Sequence, residues 1–317
     1  MMKNFLLFVA LLLLGFFYEP QLHIAILTLP YSTCIRDKNT SFSEYIPSNI
    51  ARLIENGGMY PHYISYTLPI VEMLHLFHSF DGLIIPDFPL SNLSCINGLK
   101  QAQFKEKLGE IFNNTNQGEH IFPIILFGSS MNIVLELIGS DAITIKSCIN
   151  CIGYIAQLNL QKQFHDNKLF ERIKQDYVIH FQEIGVQINL DYLILFDKYV
   201  EKKLSSSNFS LEVSALIKTP DHGNDNFIAI INSNIYPIYG FAFNLFTLNI
   251  YSPANLLGIS QISTEISQLF SINLMQICKA AKINRMNDKS IMKNDLYDLQ
   301  IVYDNIYQWI YVLSNSI

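Results

Sequence analysis

The stretch Phe122–Ile138, FPIILFGSSMNIVLELI, constrains the fold of this chain more than any other. Its first half is a continuous apolar run rich in β-branched residues, as expected of a strand buried on both faces. Three small residues, Gly128-Ser129-Ser130, follow, and Met131, Val134, Leu135 and Ile138 then recur at helical spacing. The stretch therefore reads as strand, tight turn, helix. In open α/β sheets such a turn lies at the carboxyl end of a strand, where ligands bind and where hydrolases hold a nucleophile on a strained elbow. Here the turn carries neither a cysteine nor a G-x-S-x-G pattern.

The flanking sequence supplies more units of the same kind. Strands are predicted at Leu22–Thr28, Tyr60–Tyr66 and Asp81–Pro86, and helices at Phe42–Asn56, Leu68–Phe80 and Lys100–Asn113, with Gly57-Gly58 closing the first helix. Alternation of this sort argues for right-handed βαβ units on a parallel sheet. After Ser140 the segments shorten. Strands are expected at Ala142–Ile145, Tyr154–Leu160, Tyr177–Phe181, Val186–Leu190, Leu211–Lys218 and Phe227–Ile231, as an antiparallel extension of the sheet, and a buried strand at Tyr236–Phe243. Surface helices are expected at Asn167–Lys174 and Asp191–Leu204, a turn at Pro220–Asp225, and a long amphipathic helix at Ser263–Ala281. The aromatic tail Leu296–Leu313 is read as packed against the core. The expected class is α/β: a mostly parallel central sheet flanked by helices, in a flavodoxin-like three-layer arrangement.

The N-terminal run Phe5–Phe17 follows a single Lys3 and is short for a bilayer span of about 20 residues, so residues 1–18 read as a signal peptide, with a signal anchor as the alternative. Residues 19–317 then form one domain. Sequons at Asn39, Asn92, Asn113 and Asn208 suit a secreted or lysosomal/vacuolar glycoprotein. A net charge of -6, with 21 Lys and Arg scattered along 317 residues, gives no basic footprint for nucleic acid. No membrane contact beyond the leader is expected. Five cysteines are too sparse for a disulfide framework, although one or two bridges can form in an oxidising compartment. Cys148 and Cys151 form a C-x-x-C pair, a pattern of redox and zinc motifs, read as structural or incidental because no His or Cys partners lie at ligand spacing. His75 and His78 are read as surface histidines, and no metal or cofactor is expected.

Several blocks, taken in order, resemble the γ-glutamyl hydrolases, secreted or lysosomal class-I glutamine amidotransferase-like enzymes that trim poly-γ-glutamate from folates. They are Ile24–Thr28, Glu44-Tyr45-Ile46 through Asn56-Gly57-Gly58, Asp81–Pro86, Phe122-Pro123, Ile155–Asn159 and Tyr236–Gly240, spread over residues 22–285. The resemblance implies a cysteine nucleophile, a histidine base and an orienting glutamate, with backbone N–H groups for the oxyanion. Carried over without gaps, those positions fall on Gly128, Asn244 and Phe246, and the glycines of the oxyanion region fall on Asp87 and Phe88. None of the three can perform the family's chemistry. The resemblance thus implies a pseudohydrolase that binds a poly-γ-glutamyl ligand or a protein partner, with a homodimer as the family's habit. Two alternatives remain: an active hydrolase using displaced groups, Ser129 with His222, and an interaction scaffold without ligand. On the first reading Ser129 and Ser130 cap the helix that follows.

Overall fold

The computed structural model describes residues 21–30, 44–87, 98–116, 122–139, 142–171, 175–183, 185–243 and 256–287. The leader, the aromatic tail, Phe88, Asn244, Phe246 and the sequons at Asn39 and Asn92 lie outside them.

The first half runs β1 (His23–Leu27), β2 (Leu29–Pro30), β3 (Glu44–Tyr45), α1 (Ser48–Asn56), β4 (Tyr60–Ile64), α2 (Ile70–Phe77), β5 (Gly82–Ile85), α3 (Gly98–Asn114), β6 (Ile124–Phe127) and α4 (Ser129–Gly139). It continues with β7 (Ile145–Ser147), β8 (Tyr154–Ala156), β9 (Asn159–Leu160), α5 (Gln175–Glu183), β10 (Val186–Ile188), β11 (Tyr192–Ile194) and α6 (Lys198–Ser205). The last elements are β12 (Leu211–Ile217), β13 (Phe227–Ser233), β14 (Ile238–Phe241) and α7 (Leu256–Asn287). The main sheet has the order β4-β1-β5-β6-β14-β13-β12-β9. From β4 to β14 its neighbours are parallel; β13, β12 and β9 extend it antiparallel.

β1, β5 and β6 are buried on both faces because helices cover both. The chain leaves β1 for β4 on one side and returns to β5 on the other. Right-handed crossovers then put α1 on one face and α2 and α3 on the opposite one. α7 packs on α1, where Ser271 Oγ donates to Leu53 O at 2.9 Å. On the other face α2, α3, α4 and α6 are successive neighbours.

The expected architecture holds, and the departures are local. Tyr177–Phe181, read as a strand, is part of α5: Val178 and Phe181 are buried at helical spacing, and a run this short does not distinguish the two periods. The helix expected over Asp191–Leu204 is two elements. Tyr192–Ile194 pairs with β7, and the helix starts after Asp197, whose carboxylate accepts the Tyr199 and Val200 N–H groups at 2.8 Å. Glu44-Tyr45 pairs with Leu29-Pro30, so α1 begins only past Pro47. Asn167 ends a short 3₁₀ turn, Lys162–Asp166, where a helix was expected to begin. Cys148 and Cys151 are disulfide-bonded around the turn Ile149–Cys151 and buried.

Candidate functional site

In the order β4-β1-β5 the strand connections diverge on either side of β1, so the crevice for a ligand lies at the carboxyl ends of β1 and β5. The β2–β3 hairpin stands over it. Glu44 on that hairpin accepts hydroxyl hydrogen bonds from Thr28 (2.5 Å), Ser65 (2.6 Å) and Thr67 (3.0 Å), tying the ends of β1 and β4 together. Lys107 of α3 donates to the carbonyls of Tyr66 and Leu68.

The elbow itself lies one strand further on. Gly128 N–H donates to Phe241 O at 2.7 Å, anchoring the turn to β14, and Gly128 holds φ at 56°, in the left-handed region. The strand-to-helix turn thus passes through a left-handed residue that carries no side chain. A Cβ at residue 128 would lie within 3.0 Å of the carboxyl carbon and both oxygens of Asp87. Asp87, just past β5, has turned its carboxylate into the space that a residue-128 side chain would need. Its Oδ1 accepts the Ser129 N–H at 2.8 Å, at the start of α4. Free N–H groups and the helix dipole favour an anion there. Asp87 is thus the acceptor at the helix start. Ser129 and Ser130 do not cap it with their hydroxyls as expected: Ser130 Oγ donates to Pro86 O at 2.6 Å, and both serines are buried.

The electrostatics are unbalanced. Burial pushes the Asp87 carboxyl up to about 6; the Ser129 N–H and hydroxyl pull it down, and Asp191 pushes it further up. Burial also raises Asp191. Tyr45 on β3 is pushed to about 12, first by burial and then by the Asp87 charge. Tyr192 is raised by burial and then by Glu136, Asp87 and Asp191. Beside them Asn132 of α4 donates its side-chain amide to Tyr192 O at 3.0 Å, while its buried Oδ1 has no partner.

The other sequence candidates lie elsewhere in the hydrogen-bond pattern. His222 Nε2 contacts Ser147 O at 2.6 Å and its ring packs 5.5 Å from Phe227, whereas the Ser129 N–H and hydroxyl meet Asp87. Phe243 is buried. Asn113 and Asn208 are exposed. His75 and His78 are exposed at the end of α2, and among the described residues no group of three or more His, Cys, Asp or Glu is placed to hold a metal ion. Asp191, Tyr192 and Tyr45 escaped the sequence reading because they lie on or beside two elements distant in sequence from the elbow, whereas Asn132 stands on the elbow's own helix. Only the folded register of β11 and the β2–β3 hairpin brings the first three to the elbow.

No protein-family model matches the chain, and no curated protein matches it in sequence. Solved structures do match in shape. A Thermoplasma acidophilum protein assigned as a GMP synthase subunit superimposes with a TM-score of 0.51 at 11% identity, covering 84% of this chain and 98% of that one. PurLQS from Thermotoga maritima gives a TM-score of 0.48 at 11% identity, covering 80% and 97%. Its parallel sheet, its antiparallel extension and the first of these matches together give the chain a class-I glutamine amidotransferase-like α/β fold.

Proposed function

We propose that this chain is a pseudohydrolase: a protein that keeps the glutamine amidotransferase-like scaffold, resembles the γ-glutamyl hydrolases, and acts by binding. One observation carries the reading. The Asp87 carboxylate fills the space over Gly128 that a nucleophilic side chain would occupy. A carboxylate there would also oppose a developing oxyanion, the charge that the elbow of an acyl-transfer enzyme must stabilise. Asp87 and Asp191 together repel a polyanionic γ-glutamyl chain, which favours a protein partner over a poly-γ-glutamyl ligand. The reading includes entry into the secretory pathway through residues 1–18.

Incubating the purified chain with a pteroyl-poly-γ-glutamate and following chain length by chromatography tests it. Full-length substrate after prolonged incubation is the expected result, and shortened chains overturn it. A second reading has its own support: the Ser129 hydroxyl is directed at Asp87, whose raised pKa suits a general base near pH 6. Under that reading shortened chains appear and Ser129→Ala abolishes them.

A further inference from the structure

Two of the four sequons, 95 positions apart in sequence (208 − 113), meet in space. Asn113 is the penultimate residue of α3 and Asn208 follows the end of α6, and both line one cavity of about 340 Å³ between α3, α4 and α6. Both are exposed, and neither amide has a hydrogen-bond partner among the described residues. Each stands at a helix end that the chain leaves through a left-handed residue: Asn116 at φ 57° and Ser210 at φ 45° are the only non-glycine residues with positive φ among those described. Thr115 and Asn116 are themselves buried, with the Asn116 side chain bonded to the Phe122 backbone, so this turn is fixed from below while Asn113 stays at the surface, where a bulky modification is tolerated.

The cavity wall is mixed. Phe112, Val134, Leu137 and Phe209 give it apolar surface, while Ser206 and Lys203 give it hydroxyl and ammonium groups. Leu137 is 37% exposed, and Phe112 and Phe209 pack edge to face at 5.6 Å beneath it. An amphipathic ring, with an apolar C–H face and hydroxyls at its edge, matches that wall in a way that a purely apolar or purely ionic ligand does not.

We propose that Asn113 and Asn208 both carry N-linked glycans whose first sugars lie in the α3–α4–α6 groove and cover its apolar wall. In the transfer, the side-chain amide nitrogen bonds to the anomeric carbon of an oligosaccharide carried on a lipid pyrophosphate. The bond from that carbon to the pyrophosphate breaks, and the lipid pyrophosphate leaves with the amide proton. The proposal rests on the secretory-pathway part of the proposed function.

The test is expression of the full chain in a eukaryotic secretory host, with glycopeptide mass spectrometry of the wild type, Asn113→Gln and Asn208→Gln. Substitution at the asparagines is chosen because Thr115 of the first sequon is buried, its hydroxyl donating to Ile111 O. The expected result is one glycan mass lost with each variant. Endoglycosidase should also release these glycans more slowly from the folded protein than from the denatured one. Sugars on Asn39 or Asn92 with none on Asn113 and Asn208 would overturn the groove assignment and leave the secretory reading standing. Equal release rates from folded and denatured protein would overturn it too. No sugar at any sequon, with the leader retained, would overturn both.

Discussion

Strand β5 is bracketed by two aspartates, one at each end, and they are handled in opposite ways. At the amino end, buried Asp81 accepts the His23 N–H at 2.9 Å, Lys282 Nζ at 3.2 Å and Arg285 Nη2 at 2.7 Å, while Arg285 Nη1 donates to Phe80 O. Two cations from α7 are thereby latched to the start of the sheet. At the carboxyl end, Asp87 meets Ser129 and faces a second carboxylate, Asp191, with no cation in an ion pair with it among the described residues. One end of the strand is organised for stability. The other stores uncompensated charge, which is common where a fold keeps a functional site.

The contrast can be broken from either side. Asp81→Ala is expected to have the largest effect, a loss of about 3–5 kcal/mol, because it leaves two partly buried cations without their acceptor. Urea unfolding measures it, and a change under about 1 kcal/mol would show that the latch is ornamental. Gly128→Ala comes next, at about 2–4 kcal/mol, combining a left-handed backbone with overlap on the Asp87 carboxyl. Asp87→Gly in the same chain should recover the overlap part, so a double-mutant cycle is expected to give a coupling of about 1 kcal/mol or more. Additive effects would place Asp87 elsewhere.

Asp87→Asn is the smallest and has the opposite sign. An amide keeps an acceptor for the Ser129 N–H and removes the charge, so the variant should gain stability on the order of 1 kcal/mol at about pH 7.5. The sign follows from linkage. A carboxyl whose folded pKa is raised to about 6 binds its proton more tightly folded than unfolded. Its stabilising contribution is full below the unfolded value of about 3.9 and is lost as pH rises through about 6. The wild type should therefore lose thermal stability between about pH 4 and 6 relative to Asp87→Asn, level off above that range, and converge with it below about pH 4.

Much of this was legible beforehand. Apolar runs with turn signals placed β1, β5, β6 and their helices, and the turn at Gly128 was visible because strand and helix periods meet there. Asp87 was singled out beforehand only through the family resemblance, as a charge close to the turn at Gly128. The sequence did not reveal that the same carboxylate enters the space a side chain at residue 128 would need, since that depends on where β5 ends relative to β6. Nor did it reveal Asp191, Tyr192 and Tyr45, which reach the elbow through β11–β7 and β2–β3 pairing across separations that periodicity cannot see. Short apolar segments such as Tyr177–Phe181 were misread for the opposite reason: so short a run contains too little of either period.

The most direct test of the central claim is the titration of the Asp87 carboxyl by carbon-detected NMR, in the wild type and in Asp191→Asn. A carboxylate buried over a bare elbow beside a second carboxylate predicts a midpoint of about 6 that falls when Asp191 is neutralised. A midpoint near the ordinary value of about 3.9, unmoved by Asp191→Asn, would contradict the account by showing a solvated Asp87 and an open elbow.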